Sequence, residues 1–223
     1  MRQLLLLIGT IVSLSAFSQA RYDTIPILPE HYQVRLDRFK SEPVVTGKIM
    51  FAGNSITEGG NWKKLLKDSS VVNRGIGGDN TFGLLKRIDD IARRKPSSLF
   101  LLIGINDISQ NIPDARILEN ILSFVSMIKS ASPKTKVFVQ SILPVNPSVK
   151  DFPQAYSKQT NIIEINFQLR KYKDVFKYDY IDIYSDFVDK GDMLNPKFTT
   201  DGLHLNPAGY IHWVEFLKKG GHL

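Results

Sequence analysis

The sequence contains no cysteine and only four histidines in 223 residues. The absence of cysteine excludes disulfide bonds, thiolate zinc sites, iron–sulfur clusters and a cysteine nucleophile. The histidines (His31, His204, His212 and His222) are scattered along the chain, so neither a metal ion nor another cofactor is predicted. Apolar residues reach 43% and charged residues 23%, which excludes an intrinsically disordered chain.

Basic residues outnumber acidic ones, 29 to 22, which gives a formal net charge of +7. The positive charges form short clusters in segments with helical apolar spacing: Lys63, Lys64 and Lys67; Arg93, Arg94 and Lys95; Arg170, Lys171 and Lys173; Lys218 and Lys219. Such spacing predicts charged helix faces exposed to solvent. No basic and aromatic motif accompanies the charge, so nucleic acid is not a predicted partner, whereas a weak attraction to anionic glycans or membrane surfaces stays open.

The first 20 residues have the pattern of a secretory signal peptide. Arg2 precedes an apolar run from Leu4 to Leu14, and small residues at Ser18 and Ala20 suit cleavage after Ala20. The run is shorter than the roughly 20 apolar residues that a membrane-spanning helix needs, and the absence of cysteine excludes a lipoprotein anchor. We therefore expect an exported protein, periplasmic or secreted, with residues 21–223 forming one domain.

Short, mostly apolar segments of strand length alternate with longer segments of helical period. Strands are predicted at Ile49–Ala52, Val71–Val72, Leu99–Ile103, Val137–Ile142 and Tyr180–Tyr184. Helices are predicted at Tyr32–Phe39, Phe82–Ile91, Ile117–Ile128, Ile162–Leu169 and Ala208–Lys219. Apolar strands separated by helices predict an α/β fold whose parallel sheet is covered on both faces.

Polar, glycine-rich segments follow three of the predicted strands, and a fourth polar segment precedes the last predicted helix. They are Gly53–Gly59, Asn73–Thr81, Gly104–Asp107 and Asp201–His204. Because right-handed crossovers place the carboxyl ends of parallel strands at one edge of the sheet, where ligands bind, we expect these segments to meet there.

The residue types in these segments suit nucleophilic catalysis. A tight turn from strand to helix can expose the Ser55 hydroxyl, although a serine-rich turn that merely caps a helix is common. Asp201 and His204 are spaced so that the carboxylate can hold one ring N–H while the other ring nitrogen faces a hydroxyl. A free glycine N–H in the second segment and the Asn106 amide could donate to a developing anion.

In this order and spacing the four segments resemble the SGNH (GDSL) hydrolase family, over about Lys48 to Tyr210. The resemblance implies a flavodoxin-like three-layer sandwich around a five-stranded parallel sheet. The first motif of the family has aspartate before the serine, whereas this chain has Asn54.

The resemblance also implies a role for each candidate residue. Ser55 corresponds to the nucleophile, His204 to the general base and Asp201 to the residue that orients the base. The backbone N–H groups of Ser55 and Gly78 and the side chain of Asn106 correspond to the oxyanion donors.

Gly77-Gly78-Asp79, together with the segment Asp201–Tyr210, is most similar to the acetylhydrolase-like and carbohydrate acetylesterase-like branches of the family. We therefore expect a serine esterase that removes short acyl groups, such as O-acetyl, from carbohydrate, with a small-molecule or glycan ester as its partner. A lysophospholipase, an acyl-thioesterase and a non-catalytic glycan-binding relative stay open. A flavodoxin-like electron carrier would use Ser55 and Thr57 for a cofactor phosphate, but it would not need Asp201 and His204. The oligomeric state is not indicated.

Three other features are interpreted as structural. Trp62 and Trp213 are predicted to pack in the core rather than to bind sugar. Ser126 and Lys129 match a penicillin-recognising S-x-x-K pattern by coincidence, since its partner motifs are missing. His212 lies in a predicted helix eight residues after His204 and is not predicted to bind metal.

Overall fold

A computed structural model of the chain describes residues 26–148 and 158–223. The sheet has five parallel strands in the order β2-β1-β3-β4-β5. In chain order the strands are β1 Ile49–Gly53, β2 Val72–Gly75, β3 Ser98–Leu102, β4 Lys136–Gln140 and β5 Asp179–Ile181. This sheet confirms the predicted α/β fold, consistent with the flavodoxin-like sandwich.

Helices connect the strands and cover the sheet. The α-helices of the described residues are α1 Tyr32–Ser41, α2 Ser55–Glu58, α3 Trp62–Leu66, α4 Thr81–Lys86, α5 Ile88–Ala92, α6 Ile105–Ser109, α7 Asp114–Ala131, α8 Gln159–Phe176, α9 Tyr184–Phe187 and α10 Pro207–Lys219. Within the same residues, no helix combines the length and the apolar character needed to cross a lipid bilayer.

Side chains of the central strands point alternately to the two faces of the sheet, and a hydrophobic core forms on each face. Met50 and Ala52 of β1 pack into the core beneath α7 and α8, whereas Phe51 between them packs into the core beneath α3 and α10. Successive side chains of a strand point to opposite faces, so a strand that is apolar throughout can fill both cores. The apolar runs in the sequence thus specify a sheet buried in the middle layer.

Aromatic rings fill the core on the α3 and α10 side. Phe51 stacks on Trp62 with ring centroids 3.8 Å apart, and the Trp213 ring meets Trp62 edge-on at 4.9 Å. Both tryptophans are almost completely buried. The prediction that they are packing residues is therefore confirmed.

Several predicted boundaries are wrong. The single helix predicted from Phe82 to Ile91 is divided at Arg87, whose buried guanidinium donates to the carbonyl oxygens of Arg74 (2.7 Å) and Gly53 (3.0 Å). Strand β4 ends before Ile142, because the backbone N–H of Ile142 donates to the Asn166 side chain (2.8 Å) instead of continuing the ladder.

The prediction that the basic clusters lie on solvent-exposed helix faces is wrong for Arg94. Its side chain is 2% exposed, and its guanidinium donates to the carbonyl oxygens of Pro43 (2.6 Å) and Phe39 (2.7 Å). These carbonyl oxygens lie near the end of α1, where no further backbone N–H groups of the helix are available as donors. An arginine that donates to them is therefore favourable in a buried position.

Candidate active site

The turn after β1 places Ser55 at the first position of α2. Gly53 has φ +157°, and a Cβ there would lie 2.0 Å from the Leu102 carbonyl oxygen on β3, so only glycine fits. Asn54 then caps α2, because its Oδ1 accepts from the Ile56 N–H at 3.0 Å. The capping oxygen that the family's aspartate would supply is thus present in Asn54.

The structure brings together the three residues predicted to act on the ester. Ser55 Oγ lies 2.9 Å from His204 Nε2, although the two residues are 149 positions apart. His204 Nδ1 lies 2.7 Å from Asp201 Oδ2. One hydrogen-bonded chain therefore runs from a carboxylate through an imidazole to a hydroxyl.

Asp201 is held by its own loop. Its Oδ1 accepts from the backbone N–H groups of Leu203 (2.9 Å) and His204 (2.7 Å). Partial burial by itself would raise the pKa of Asp201, but these hydrogen bonds and the imidazole outweigh it and leave the pKa below its usual value. An ionised Asp201 accepts from Nδ1–H, so Nε2 is the ring nitrogen that accepts from the Ser55 hydroxyl.

The loops that follow β1, β2 and β3 carry the predicted anion donors. These strands are neighbours in the sheet, so their loops leave its edge side by side. Within the described residues no acceptor is bonded to the N–H of Ser55 or of Gly78, which has φ +73°. Asn106 Nδ2 donates to the Asp79 carbonyl oxygen at 2.7 Å, and its second amide hydrogen remains for a ligand.

The buried carboxyl group of Asp107, the residue after Asn106, connects two of the helices at this edge of the sheet. Asp107 accepts from the Thr81 N–H (3.0 Å) and hydroxyl (2.6 Å), which ties α6 to the start of α4. Burial raises the pKa of Asp107 to about 7, and the charge of Asp79 acts in the same direction against the hydrogen bonds from Thr81.

This raised pKa predicts how stability depends on pH. Below the unfolded pKa of roughly 4 both states carry the proton; between there and pH 7 only the folded state holds it. The contribution is therefore complete at low pH and is lost as pH rises through 7. We expect the free energy of unfolding in urea to fall less steeply from pH 5 to 8 in Asp107→Asn than in wild type. The exposed Asp174→Asn is the control, and parallel curves for wild type and Asp107→Asn would contradict the prediction.

Three residues that the motifs did not single out hold the serine turn in place. Asn73 donates to the carbonyl oxygens of Thr57 (3.1 Å) and Glu58 (3.0 Å), and Tyr210 donates to that of Ile56 (2.9 Å). Burial raises the pKa of Tyr210 to about 12, so its hydroxyl keeps its proton. Glu58 accepts a hydrogen bond from the backbone N–H of Gly77, in the glycine loop after β2, at 2.6 Å. The one signal in the sequence for Asn73 was that a polar side chain directly follows the predicted strand Val71–Val72.

His212 lies away from this site. It contacts the Asp186 carboxylate at 2.6 Å and stacks on Phe198, with ring centroids 4.3 Å apart. No pattern in the sequence indicates this carboxylate, because Asp186 lies 26 positions before His212. Over residues 26–148 and 158–223, no group of three or more His, Asp or Glu side chains is arranged to hold a metal ion.

A carboxylate, imidazole and hydroxyl in hydrogen-bonded series at the edge of a parallel sheet are typical of serine hydrolases with an α/β fold. A sequence model of the GDSL-like lipase/acylhydrolase family matches residues 51–211. This match spans well over half of the chain, and the chain therefore belongs to the GDSL-like lipase/acylhydrolase (SGNH) family. It is a serine hydrolase that acts on ester bonds.

Among relatives, the alpha2 subunit of rat platelet-activating factor acetylhydrolase IB is 24% identical over 189 residues, which cover 82% of this chain and 78% of that protein. An acylhydrolase structure from Bacteroides fragilis superposes with a TM-score of 0.73 at 27% identity, covering 84% of this chain and 94% of the other. The acetyl xylan esterase AlAXEase has a TM-score of 0.64 at 21% identity, covering 78% and 97%, and shows likeness of fold alone.

Proposed function

We propose that Ser55 is the nucleophile, that His204 is the general base and acid, and that Asp201 orients the imidazole. The observation that carries this assignment is the pair of contacts on one ring, 2.9 Å from Nε2 to Ser55 Oγ and 2.7 Å from Nδ1 to Asp201 Oδ2. A serine hydroxyl is a weak nucleophile at neutral pH and needs a base within hydrogen-bonding distance. This geometry supplies one.

Acylation follows from these contacts. As Ser55 Oγ bonds to the ester carbonyl carbon, its proton moves to His204 Nε2, and Asp201 stabilises the resulting imidazolium. The carbonyl oxygen becomes an anion, which would accept from the N–H groups of Ser55 and Gly78 and from the Asn106 amide. Collapse of the intermediate breaks the ester C–O bond, and His204 returns its proton to the leaving alcohol.

Deacylation repeats the sequence with water. His204 removes a proton from water as the water oxygen bonds to the acyl carbon, and the same donors stabilise the second oxyanion. The Ser55 oxygen leaves with the proton from Nε2, and the carboxylic acid is released.

We propose short acyl groups, above all O-acetyl groups on carbohydrate, as the substrate class. Support comes from the Gly77-Gly78-Asp79 and Asp201–Tyr210 segments, from a relative that is an acetylhydrolase, and from the fold shared with an acetyl xylan esterase. Lysophospholipids and acyl thioesters are the competing substrates.

A panel of substrates tests this proposal. On nitrophenyl esters of two to ten acyl carbons, we expect kcat/KM to fall by at least about tenfold between acetate and hexanoate, because an acyl site selective for acetyl groups would have no room for the added methylenes. Acetate release from acetylated xylo-oligosaccharides should exceed hydrolysis of lysophosphatidylcholine and acyl-coenzyme A. Ser55→Ala provides the background, and a preference for the long esters or for the lysolipid would refute the proposal.

We also propose that residues 1–20 are a signal peptide and that residues 21–223 form one domain of an exported enzyme. The support is the sequence pattern around Arg2 and Ala20, and residues 1–25 lie outside the described part of the chain. Mass spectrometry of the protein produced in its natural compartment should find an N-terminus near Arg21, and a protein that retains residues 1–20 would contradict the proposal.

A further inference from the structure

Glu58 bonds to two segments at once from the last position of α2, three residues after Ser55. Its Oε2 accepts from the Gly77 N–H at 2.6 Å. Its Oε1 pairs with the Arg35 guanidinium at 2.8 Å, and both side chains are mostly buried, with 29% and 23% of their surface exposed. One carboxylate therefore links the serine turn, the glycine loop and α1.

The loop that Glu58 holds contains the proposed donor Gly78. Two adjacent glycines have no Cβ to restrict their backbone angles, so this segment has little conformational preference of its own. Gly78 is bracketed by hydrogen bonds, from the Gly77 N–H to Glu58 on one side and from Asn106 to the Asp79 carbonyl oxygen on the other. The Asp79 N–H also donates to the Ile76 carbonyl oxygen at 3.1 Å and closes the turn that contains both glycines, so the direction of the Gly78 N–H depends on all three bonds.

Arg35 in turn fixes the carboxylate. Its guanidinium donates to Glu58 and to the Gly75 carbonyl oxygen (3.2 Å), and it lies over the Phe39 ring, 5.1 Å from the centroid. A Cβ on Gly75 would lie 2.2 Å from the Glu58 backbone nitrogen, so β2 and the serine turn are in close contact here. The Glu58 carboxylate is held from both sides.

We propose that Glu58 is a positioning residue for the oxyanion donors. By holding the Gly77 N–H, Glu58 directs the Gly78 N–H toward the position of the ester oxygen. Because Glu58 and Ser55 lie on the same short helix, α2, this contact also fixes the position of the Gly78 donor relative to Ser55. The inference rests on the proposed function of Ser55 and Gly78. Glu58 does not contact the reacting atoms; it acts through Gly77.

The loss of Glu58 should lower turnover, beyond the stability that the broken ion pair costs. Removing one oxyanion donor costs roughly 100- to 1,000-fold in kcat, and misdirecting one should cost less. We expect Glu58→Ala to lower kcat by about 10- to 100-fold with KM within about threefold of wild type. Glu58→Gln retains an oxygen that can accept from Gly77 and should recover most of kcat. Glu58→Asp keeps the charge but shortens the side chain, and it should lose at least about tenfold.

A trifluoromethyl ketone separates positioning from a purely structural role. Ser55 Oγ adds to its carbonyl carbon and forms a hemiketal oxyanion, which needs the same donors as the transition state. The dissociation constant for this inhibitor should rise in Glu58→Ala by about the factor that kcat/KM falls. If the Glu58–Arg35 ion pair were purely structural, its loss would lower the melting temperature and leave this constant unchanged.

Glu119→Ala is the matched control, because Glu119 forms a comparable 2.8 Å ion pair with Arg116 on α7 and is outside the site. It should behave as wild type. If folded Glu58→Ala has the kcat and the inhibitor affinity of wild type, the inference about Glu58 is overturned. The proposed function still stands in that case, provided that Ser55→Ala is inactive. An active Ser55→Ala would overturn the proposed function itself. If Glu58→Ala does not fold, Glu58→Asp decides: wild-type kcat overturns the inference, and the expected loss supports it.

Discussion

Replacing Ser55 by alanine should lower kcat on an acetate ester by at least about 10,000-fold, to the level of the uncatalysed reaction plus residual oxyanion stabilisation. The substitution removes one oxygen from a partly buried side chain and leaves the Ser55 backbone N–H at the start of α2 in place. Substrate binding and the melting temperature should therefore change little. Initial rates measured beside circular dichroism would distinguish loss of chemistry from loss of fold.

Ser126→Ala is the control for this substitution. Ser126 lies within α7, where its hydroxyl donates to the Leu122 carbonyl oxygen at 2.9 Å as an ordinary helical serine does. Its removal should leave kcat unchanged, which also tests the interpretation of the S-x-x-K pattern as coincidence. Turnover by Ser55→Ala within tenfold of wild type would show that another group attacks the ester.

Replacing Asp201 by asparagine should cost about 10,000-fold in kcat with the fold intact. The asparagine oxygen can still accept from the N–H groups of Leu203 and His204, so the loop keeps its shape. The amide nitrogen then faces His204 Nδ1 and donates to it, which places the ring proton on Nε2. That nitrogen can no longer accept the Ser55 proton, and the positive charge formed on the ring loses its counterion.

The rate of the Asp201→Asn variant should be measured from pH 5 to 9 beside that of Asp182→Asn. Asp182 is a suitable control because it also accepts local backbone and hydroxyl hydrogen bonds, from Ser185, and it pairs with Arg170 outside the site. We expect Asp182→Asn to retain wild-type turnover. An Asp201→Asn enzyme that keeps more than a tenth of wild-type kcat would show that the imidazole does not need this carboxylate.

The middle layer of the fold could be predicted because the apolar runs of the sequence match the requirements of a strand buried on both faces. Phe51 of β1, and Phe100 and Leu102 of β3, point to the second face, whereas the apolar residues that alternate with them point to the first. The meeting of Ser55 with His204, 149 positions apart, could be predicted only in part from the sheet. The carboxyl end of β1 places Ser55 at the edge where ligands bind. The segment Asp201–His204 precedes the last helix and follows no strand directly, so its position at this edge was implied by the resemblance to the SGNH family.

The contacts that hold the site could not be predicted from the sequence. In the sequence, Glu58 and Arg35 look like charged residues on exposed helix faces. Their contact depends on how α1 packs against the serine turn. Arg94 belongs to a basic cluster that predicts a solvent-exposed face, yet it satisfies carbonyl oxygens at the end of α1. A contact between a side chain and a distant backbone group leaves no periodicity in the sequence, so it becomes visible only in three dimensions.

The central claim is that one hydroxyl, activated by one imidazole, attacks the substrate. Incubation with a fluorophosphonate, followed by intact-mass and peptide mass spectrometry, tests it directly, because the attacking oxygen displaces fluoride and keeps the phosphonyl group. We expect one adduct per chain, on the peptide containing Ser55, with labelling abolished in Ser55→Ala and slowed at least about 1,000-fold in His204→Ala. An adduct on a different residue, or a folded wild-type protein that reacts no faster than Ser55→Ala, would contradict the account.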